Sequence, residues 1–220
     1  TGIWTPPYKV SNDELVESFN KYVDLYNLEH ANEIKDGSIE PLVHSSSEFI
    51  VKASGIKNRY VIEKEALLDP NRMKPQINAR NDDELSFSAE VSVIAAKEAL
   101  NNAGLNPSDI DAVIVSAANL QRAYPAIAIE VQNELGIEGF AYDMMVGCSA
   151  STFGINNAYC DIKSGKSSKV LVISPEITSG HNNFKNRDGH FIFGDICTAV
   201  VVEKNSQSKN KFKILNTKLK

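Results

Sequence analysis

"YDMMVGCSASTFGINNAY" (residues 142–159) is the stretch on which the fold turns. An apolar run ends, a glycine and a cysteine follow, and small polar residues lead into a helical pattern. The spacing predicts a strand end, a tight turn at Gly147 and Cys148, and a helix from Ser149 to about Lys163. Ala150, Phe153, Ala158 and Ile162 are its expected inward positions. Gly147 allows a sharp turn without a side-chain clash. Cys148 then stands where free N–H groups and the helix dipole favour an anion, so its thiol pKa is expected to fall. This is the arrangement of a nucleophile elbow with cysteine in place of serine. The other reading, a small buried hydrophobe, describes many free cysteines and stays open on these residues alone. For Cys160, within the helix, and Cys197, at a strand start, core packing is expected.

Outward from this stretch the chain alternates strands and helices. "DAVIVSAA" (111–118), "GFAYDMM" (139–145), "SKVLVISPE" (168–176), "CTAVVVEK" (197–204) and "KFKILNTKLK" (211–220) are expected strands. Their apolar runs are largely continuous, which argues for strands covered on both faces. "SFSAEVSVIAAKEALNNAG" (86–104) and "PAIAIEVQNELG" (125–136) are helices that stop at Gly104 and Gly136, the second with Pro125 near its first turn. Nearer the amino terminus, Ser11 with Glu14 and Ser45 with Glu48 have capping-box spacing and start two more helices. Two polar stretches, about 28–44 and about 63–84, read as insertions, the second as a surface excursion. The fold class is α/β: a mixed, mostly parallel sheet with helices on both faces. In such sheets ligands gather beyond the carboxyl ends of the strands, where Cys148 falls.

Composition narrows the function classes. The chain has 220 residues, 42% apolar and 23% charged, with a net charge of −5. That balance gives no general affinity for nucleic acid. No apolar run approaches the roughly 20 residues of a membrane span. The opening "TGIWTPPYKV" has neither the basic nor the apolar region of a signal peptide. It also lacks a starting methionine, as a processed chain or a fragment would. Three cysteines without C-x-x-C spacing make no disulfide framework and no metal pair, which fits a reducing cytoplasm.

The segment from Tyr142 through "RDGHFIFGDICTAVVV" resembles β-ketoacyl-[acyl-carrier-protein] synthase III, one of the thiolase-fold condensing enzymes. Asp143, Cys148 and Gly154 match the family's D-x-x-x-x-C-x-x-x-x-x-G, and Arg187, Phe193, Gly194 and Asp195 match its R-x-x-x-x-x-F-G-D. "SGIKNRY" (54–60) is similar to a T-G-I-x-x-R segment, and "NLQRAYPAIAIEVQNELGI" (119–137) to the stretch before the cysteine strand. The resemblance runs from about Ser45 to Glu203, and the two insertions point to a longer subgroup.

The resemblance implies an acyltransferase of fatty-acid or related synthesis, a cytoplasmic homodimer without metal or cofactor. Cys148 would take an acyl group from acyl-CoA. Malonyl-acyl carrier protein would then lose carbon dioxide and condense to a β-ketoacyl product. Phe49 would stack on the adenine of CoA where many members have tryptophan, Arg187 would cover the other adenine face, and Tyr124 would cross the dimer interface to close the acyl pocket. Met144 and Met145 would shape an acyl tunnel or simply fill core; Glu176 and His181 would line the site entrance or cap loops. The family's decarboxylation residues, a histidine and an asparagine in H-x-x-x-N, have no match among His30, His44, His181 and His190. The expectation is therefore an amino-terminal thiolase-like half over 1–220, with the carboxy-terminal half absent and the family's initial strand before Thr1. Two further expectations share these features: another thiolase-fold acyltransferase, such as a head-to-head condensing or hydroxymethylglutaryl-CoA-synthase-like enzyme, and a non-catalytic partner subunit.

Overall fold

A strand covered on both faces should be buried along its whole length, and Ala112–Ala117 is. The structure, a computed structural model, describes residues 1–204, 206–208 and 211–219. In chain order its strands are β1 (Gly2–Trp4), β2 (Tyr8–Ser11), β3 (Asn58–Val61), β4 (Ala112–Ala117), β5 (Phe140–Met145), β6 (Lys169–Ile177) and β7 (Asp195–Glu203). Its helices are α1 (Asn12–Glu29), α2 (Ala31–Lys35), α3 (Ser47–Ser54), α4 (Phe87–Ala103), α5 (Ile127–Leu135) and α6 (Ala150–Ser164). They fall into two compact units, one of residues 1–5, 79–176 and 196–220, the other of residues 6–78 and 177–195.

The first unit holds a five-stranded sheet in the order β1-β7-β6-β4-β5. β4 runs parallel to both β5 and β6, and β1 pairs antiparallel with β7. Ala112 and Ile114 pack with Val170, Val172 and Ala158 of α6. Alternation sends Val113 and Val115 to the opposite face, where they are equally buried. α6 rests on the sheet along Ala150, Gly154 and Ala158, a four-residue repeat. A Cβ at Gly154 would lie 2.8 Å from Val172 Cγ1 and 2.9 Å from Ser116 Cβ, so only glycine admits this approach. Cys160 points away from that stripe and is exposed, contrary to the expected core role; Phe153 and Ile162 are half-buried. Cys197 is fully buried, as expected.

The second unit packs α1, α3 and the hairpin-like pair β2–β3 around Val10, Phe19, Ile50, Phe184 and Phe191. The Ser11–Glu14 capping box forms in both directions: Glu14 N–H donates to Ser11 Oγ at 3.2 Å and Ser11 N–H to Glu14 Oε2 at 2.9 Å. At α3 the cap is Ser46, not Ser45, and it accepts from Phe49 N–H at 3.1 Å. Ser45 is displaced from that role because its own backbone is engaged by Asn20. The stretch 63–84 is not simply a surface excursion, since Leu67 and Met73 sit in this core.

Three strands were not anticipated. β1 to β3 are three or four residues long and partly polar, too short for periodicity to mark. β1 is a strand of three residues at the start of the described chain. Conversely, residues 211–219 form no strand, and Lys220 lies outside the described residues.

Gly154→Ala tests the helix–sheet contact. Alanine favours a helix interior over glycine by about 1 kcal/mol, but overpacking costs about 1–3 kcal/mol. The Cβ of Ser116 cannot rotate away, so a net loss of up to about 2 kcal/mol is expected from urea unfolding. A gain in stability would show that α6 does not depend on this approach.

Candidate active site

Cys148 lies in a single 3-10 turn, Gly147–Ser149, between β5 and α6, with Gly147 at φ +55°. Its side chain is exposed. The residue before α6, Ser149, makes no side-chain cap, and the Ala150 N–H is taken by Gly147 O within the turn. Two anchors hold the turn. On the helix side, Ser116 Oγ of β4 donates to Ala150 O at 2.5 Å. On the strand side, Asp143 of β5 accepts from Ile127 N–H and Ala128 N–H, each at 2.8 Å, and so caps α5 from outside that helix. Burial raises the pKa of the Asp143 carboxyl, against those two donors. Asp143 and Gly154, which the sequence offered only as motif members, therefore position the strand and the helix on either side of Cys148.

Tyr124 is 92% exposed on the loop before α5. A shallow cavity of about 220 Å³ lies between Leu120, Arg122, Ala123, Asp143, Met144 and Met145; Met145 is exposed there, while Met144 also packs against the sheet core. Glu176 accepts from Ala118 N–H at 2.8 Å just past β4, which makes it a loop cap, and burial raises its pKa. Cys197 is unsuited to nucleophilic chemistry because burial pushes its thiol up to about 12.

Phe49 and Arg187 are brought together in the second unit. The Arg187 guanidinium carbon lies 4.2 Å from the Phe49 ring centre, and its Nε–H donates to His44 O at 2.8 Å. A base sandwiched between the two groups would need roughly 7 Å, two van der Waals layers. The guanidinium lies on the ring face itself, held there by the cation–π attraction, so a base bound between the two groups requires them to part.

The F-G-D element has a structural meaning. Asp195 accepts from Ser179 N–H and Oγ–H at 2.7 Å and from Ile62 N–H at 3.0 Å, closing the segment that carries Arg187. A Cβ at Gly194 would lie 2.8 Å from Tyr60 O. His190 is fully buried, stacked on Phe19 at 4.5 Å, and its Nδ1–H donates to Arg187 O at 2.8 Å. His190 Nε2 has no hydrogen-bond partner, and desolvation lowers the ring's pKa to about 4. Arg59, in the "SGIKNRY" segment, is buried too and donates to Ser11 O at 3.2 Å and Asn12 Oδ1 at 2.6 Å. Sequence reasoning passed over Ser116, met Arg59 only as the arginine of the T-G-I-x-x-R match and His190 only as a histidine outside H-x-x-x-N.

The chain is similar to several known proteins. A sequence model of the family 3-oxoacyl-[acyl-carrier-protein (ACP)] synthase III matches residues 142–220. The β-ketodecanoyl-[acyl-carrier-protein] synthase of Pseudomonas aeruginosa is 54% identical over 206 residues, 93% of this chain and 59% of that protein. The β-ketoacyl-[acyl-carrier-protein] synthase III of Brucella anthropi is 34% identical over 77% of this chain and 47% of its own length. The crystal structure of 3-oxoacyl-[acyl-carrier-protein] synthase III from Aquifex aeolicus superposes with a TM-score of 0.67 at 27% identity, covering 93% of this chain and 52% of that one. The chain thus spans about half the length of the relatives it matches. Over that span the chain is similar to β-ketoacyl-[acyl-carrier-protein] synthase III, and its fold is thiolase-like. No helix among the described residues is long and apolar enough to cross a membrane.

Two outcomes follow from the site. Iodoacetamide near neutral pH should label Cys148 several-fold faster than Cys160, and Cys197 hardly at all, as read by peptide mapping. Faster labelling of Cys160 would remove the helix-start argument. His190 binds its proton more weakly in the fold than in the unfolded chain, so its contribution to stability is full above about pH 6.5 and is lost as pH falls toward 4. Between pH 7.5 and 4.5 the protein should lose about 2 kcal/mol more stability than His190→Gln does. Equal losses in urea titrations of the two would show that His190 is not held neutral.

Proposed function

We propose that this chain carries the acylation half of a condensing enzyme, an acyltransferase of the β-ketoacyl-[acyl-carrier-protein] synthase III type acting in fatty-acid or related synthesis. The observation that carries the proposal is Cys148, exposed on a tight turn between a parallel strand and a helix start that no side chain caps. The Cys148 thiolate attacks the thioester carbonyl of an acyl-CoA. A carbon–sulfur bond forms, and the tetrahedral intermediate expels CoA as its thiolate.

Malonyl-acyl carrier protein then loses carbon dioxide, and the bonding pair stays on the malonyl α-carbon as an enolate. The enolate attacks the acyl–Cys148 carbonyl, forms the new carbon–carbon bond and returns the cysteine as thiolate. The enolate charge needs preorganised donors in a dry site. The resemblance assigns them to a histidine and an asparagine of the carboxy-terminal half. His190 does not substitute, since its Nδ1–H is already given to Arg187 O inside a core.

The CoA nucleotide is taken to bind at Phe49 and Arg187, with adenine on the ring and the guanidinium covering the base's other face while its Nε–H stays bonded to His44 O. A second copy of the chain would bring Tyr124 across a homodimer interface; the exposure of Tyr124 and the outer position of β5 in its sheet support this. The P. aeruginosa relative is named for a β-ketodecanoyl product. A product of that length takes two acyl carbons from malonate, so an eight-carbon primer is the first substrate to try. The three free cysteines and the lack of a membrane-crossing helix among the described residues agree with a cytoplasmic setting.

Mass spectrometry of the whole enzyme after incubation with octanoyl-CoA should find an octanoyl adduct on Cys148. The adduct and condensation should both vanish in Cys148→Ala. Condensation without any adduct on Cys148 would overturn the proposal.

A further inference from the structure

Arg187 is fixed by a strap of chain that crosses α1. The strap is residues 42–45, the end of the first polar insertion. Asn27 donates through Nδ2 to Leu42 O at 2.9 Å and accepts Leu42 N–H through Oδ1 at 2.9 Å. Asn20 does the same for Ser45, at 3.1 Å and 2.8 Å. The two asparagines are seven residues apart, two turns along one face of α1. Each side-chain amide presents one donor and one acceptor to a peptide backbone, as a neighbouring strand would. Between the two clamps, His44 turns its ring to Asp24 at 2.8 Å and its carbonyl to Arg187 Nε–H at 2.8 Å. The His44 carbonyl cannot shift without breaking clamp bonds, and the guanidinium over Phe49 follows it.

We propose that Asn20 and Asn27 are positioning residues: through the His44 carbonyl they set where the Arg187 guanidinium stands, and so favour acyl thioesters of a phosphorylated nucleotide carrier over those of a short thiol. The proposal rests on the assignment of Arg187 to the CoA site. A polar insertion that would otherwise be a loop thereby becomes a selectivity element, because an arginine held in place loses less freedom on binding than one sampling its rotamers.

The test uses the whole enzyme with Asn20→Ala, Asn27→Ala, the double variant and Arg187→Ala. KM and kcat are measured for octanoyl-CoA and for octanoyl-N-acetylcysteamine, and the Arg187 Nε–H resonance is followed by nitrogen NMR. The double variant should raise KM for octanoyl-CoA about three- to ten-fold, as loss of one ordinary hydrogen bond does. The effect should fall on KM rather than kcat and should be absent with the short thiol. The Nε–H signal should lose its ring-current shift and its protection from exchange. Asn27→Asp, of the same size, keeps the acceptor and loses the donor, and should give an intermediate rise. A folding defect would lower kcat with both substrates alike. An unchanged Nε–H signal in the double variant overturns the proposal, as does a rise in KM for Arg187→Ala that the double variant does not share. A moved signal with KM unaltered in every variant, Arg187→Ala included, rejects the CoA assignment instead, and the selectivity with it.

Discussion

α6 can lie on its sheet only because residue 154 has no side chain. Val172 and Ser116 fill the space a Cβ would need, and the helix descends far enough for the Ser116 hydroxyl to reach Ala150 O. The height of the helix start over β4 is thereby fixed, and the three-residue turn that carries Cys148 has to span from β5 to that height. β5 is fixed in its turn by Asp143, whose carboxylate is bonded to the start of α5. Displacement of a reacting atom by about an ångström can cost a hundredfold in rate. A side chain held by a helix and a strand, each with a polar anchor, is protected against such displacement better than one on a free loop.

The second unit solves a different problem, how to bury polar groups. Asp195, Arg59 and His190 are all nearly or fully buried. A buried charge without partners costs several kcal/mol, so each is handled differently. Asp195 is surrounded by N–H and O–H donors. Arg59 spends its terminal nitrogens on backbone carbonyls and Asn12, and burial still lowers its pKa to about 10. His190 stays neutral, one nitrogen bonded and the other facing apolar neighbours. These arrangements shape the segment around Arg187 as firmly as the apolar core does.

Much of this was legible in the residues. The long strands and α4 to α6 carry unbroken patterns, and the elbow at Cys148 followed from a strand, a glycine and a helix in succession. What failed was short or non-local. β1 to β3 hold too few residues for a period to show, and β1 is made by its partner β7, nearly the whole chain away. "KFKILNTKLK" has a strand's composition, yet no strand forms over 211–219. The cap of α3 moved by one residue because Asn20, from another helix, had claimed Ser45. Leu67 and Met73 looked like members of a polar loop because burial of single side chains leaves no periodic trace. The Phe49–Arg187 pair was found, but not its direct contact, which depends on the His44 carbonyl.

The pairing of β1 with β7 sets a timetable for synthesis. Gly2 faces Ala199, so the first strand leaves the ribosome almost two hundred residues before the strand it bonds to. At the usual 5–20 residues per second that interval is about 10–40 s. The second unit waits nearly as long, because Phe184 and Phe191 of its core are made more than a hundred residues after α3. Neither unit can close during the early part of translation, and the nascent chain must carry Leu15, Phe19 and Ile50 through that time without their late partners. A polar, acid-rich amino-terminal region, with charged residues spread along α1, suits a segment that stays soluble while it waits.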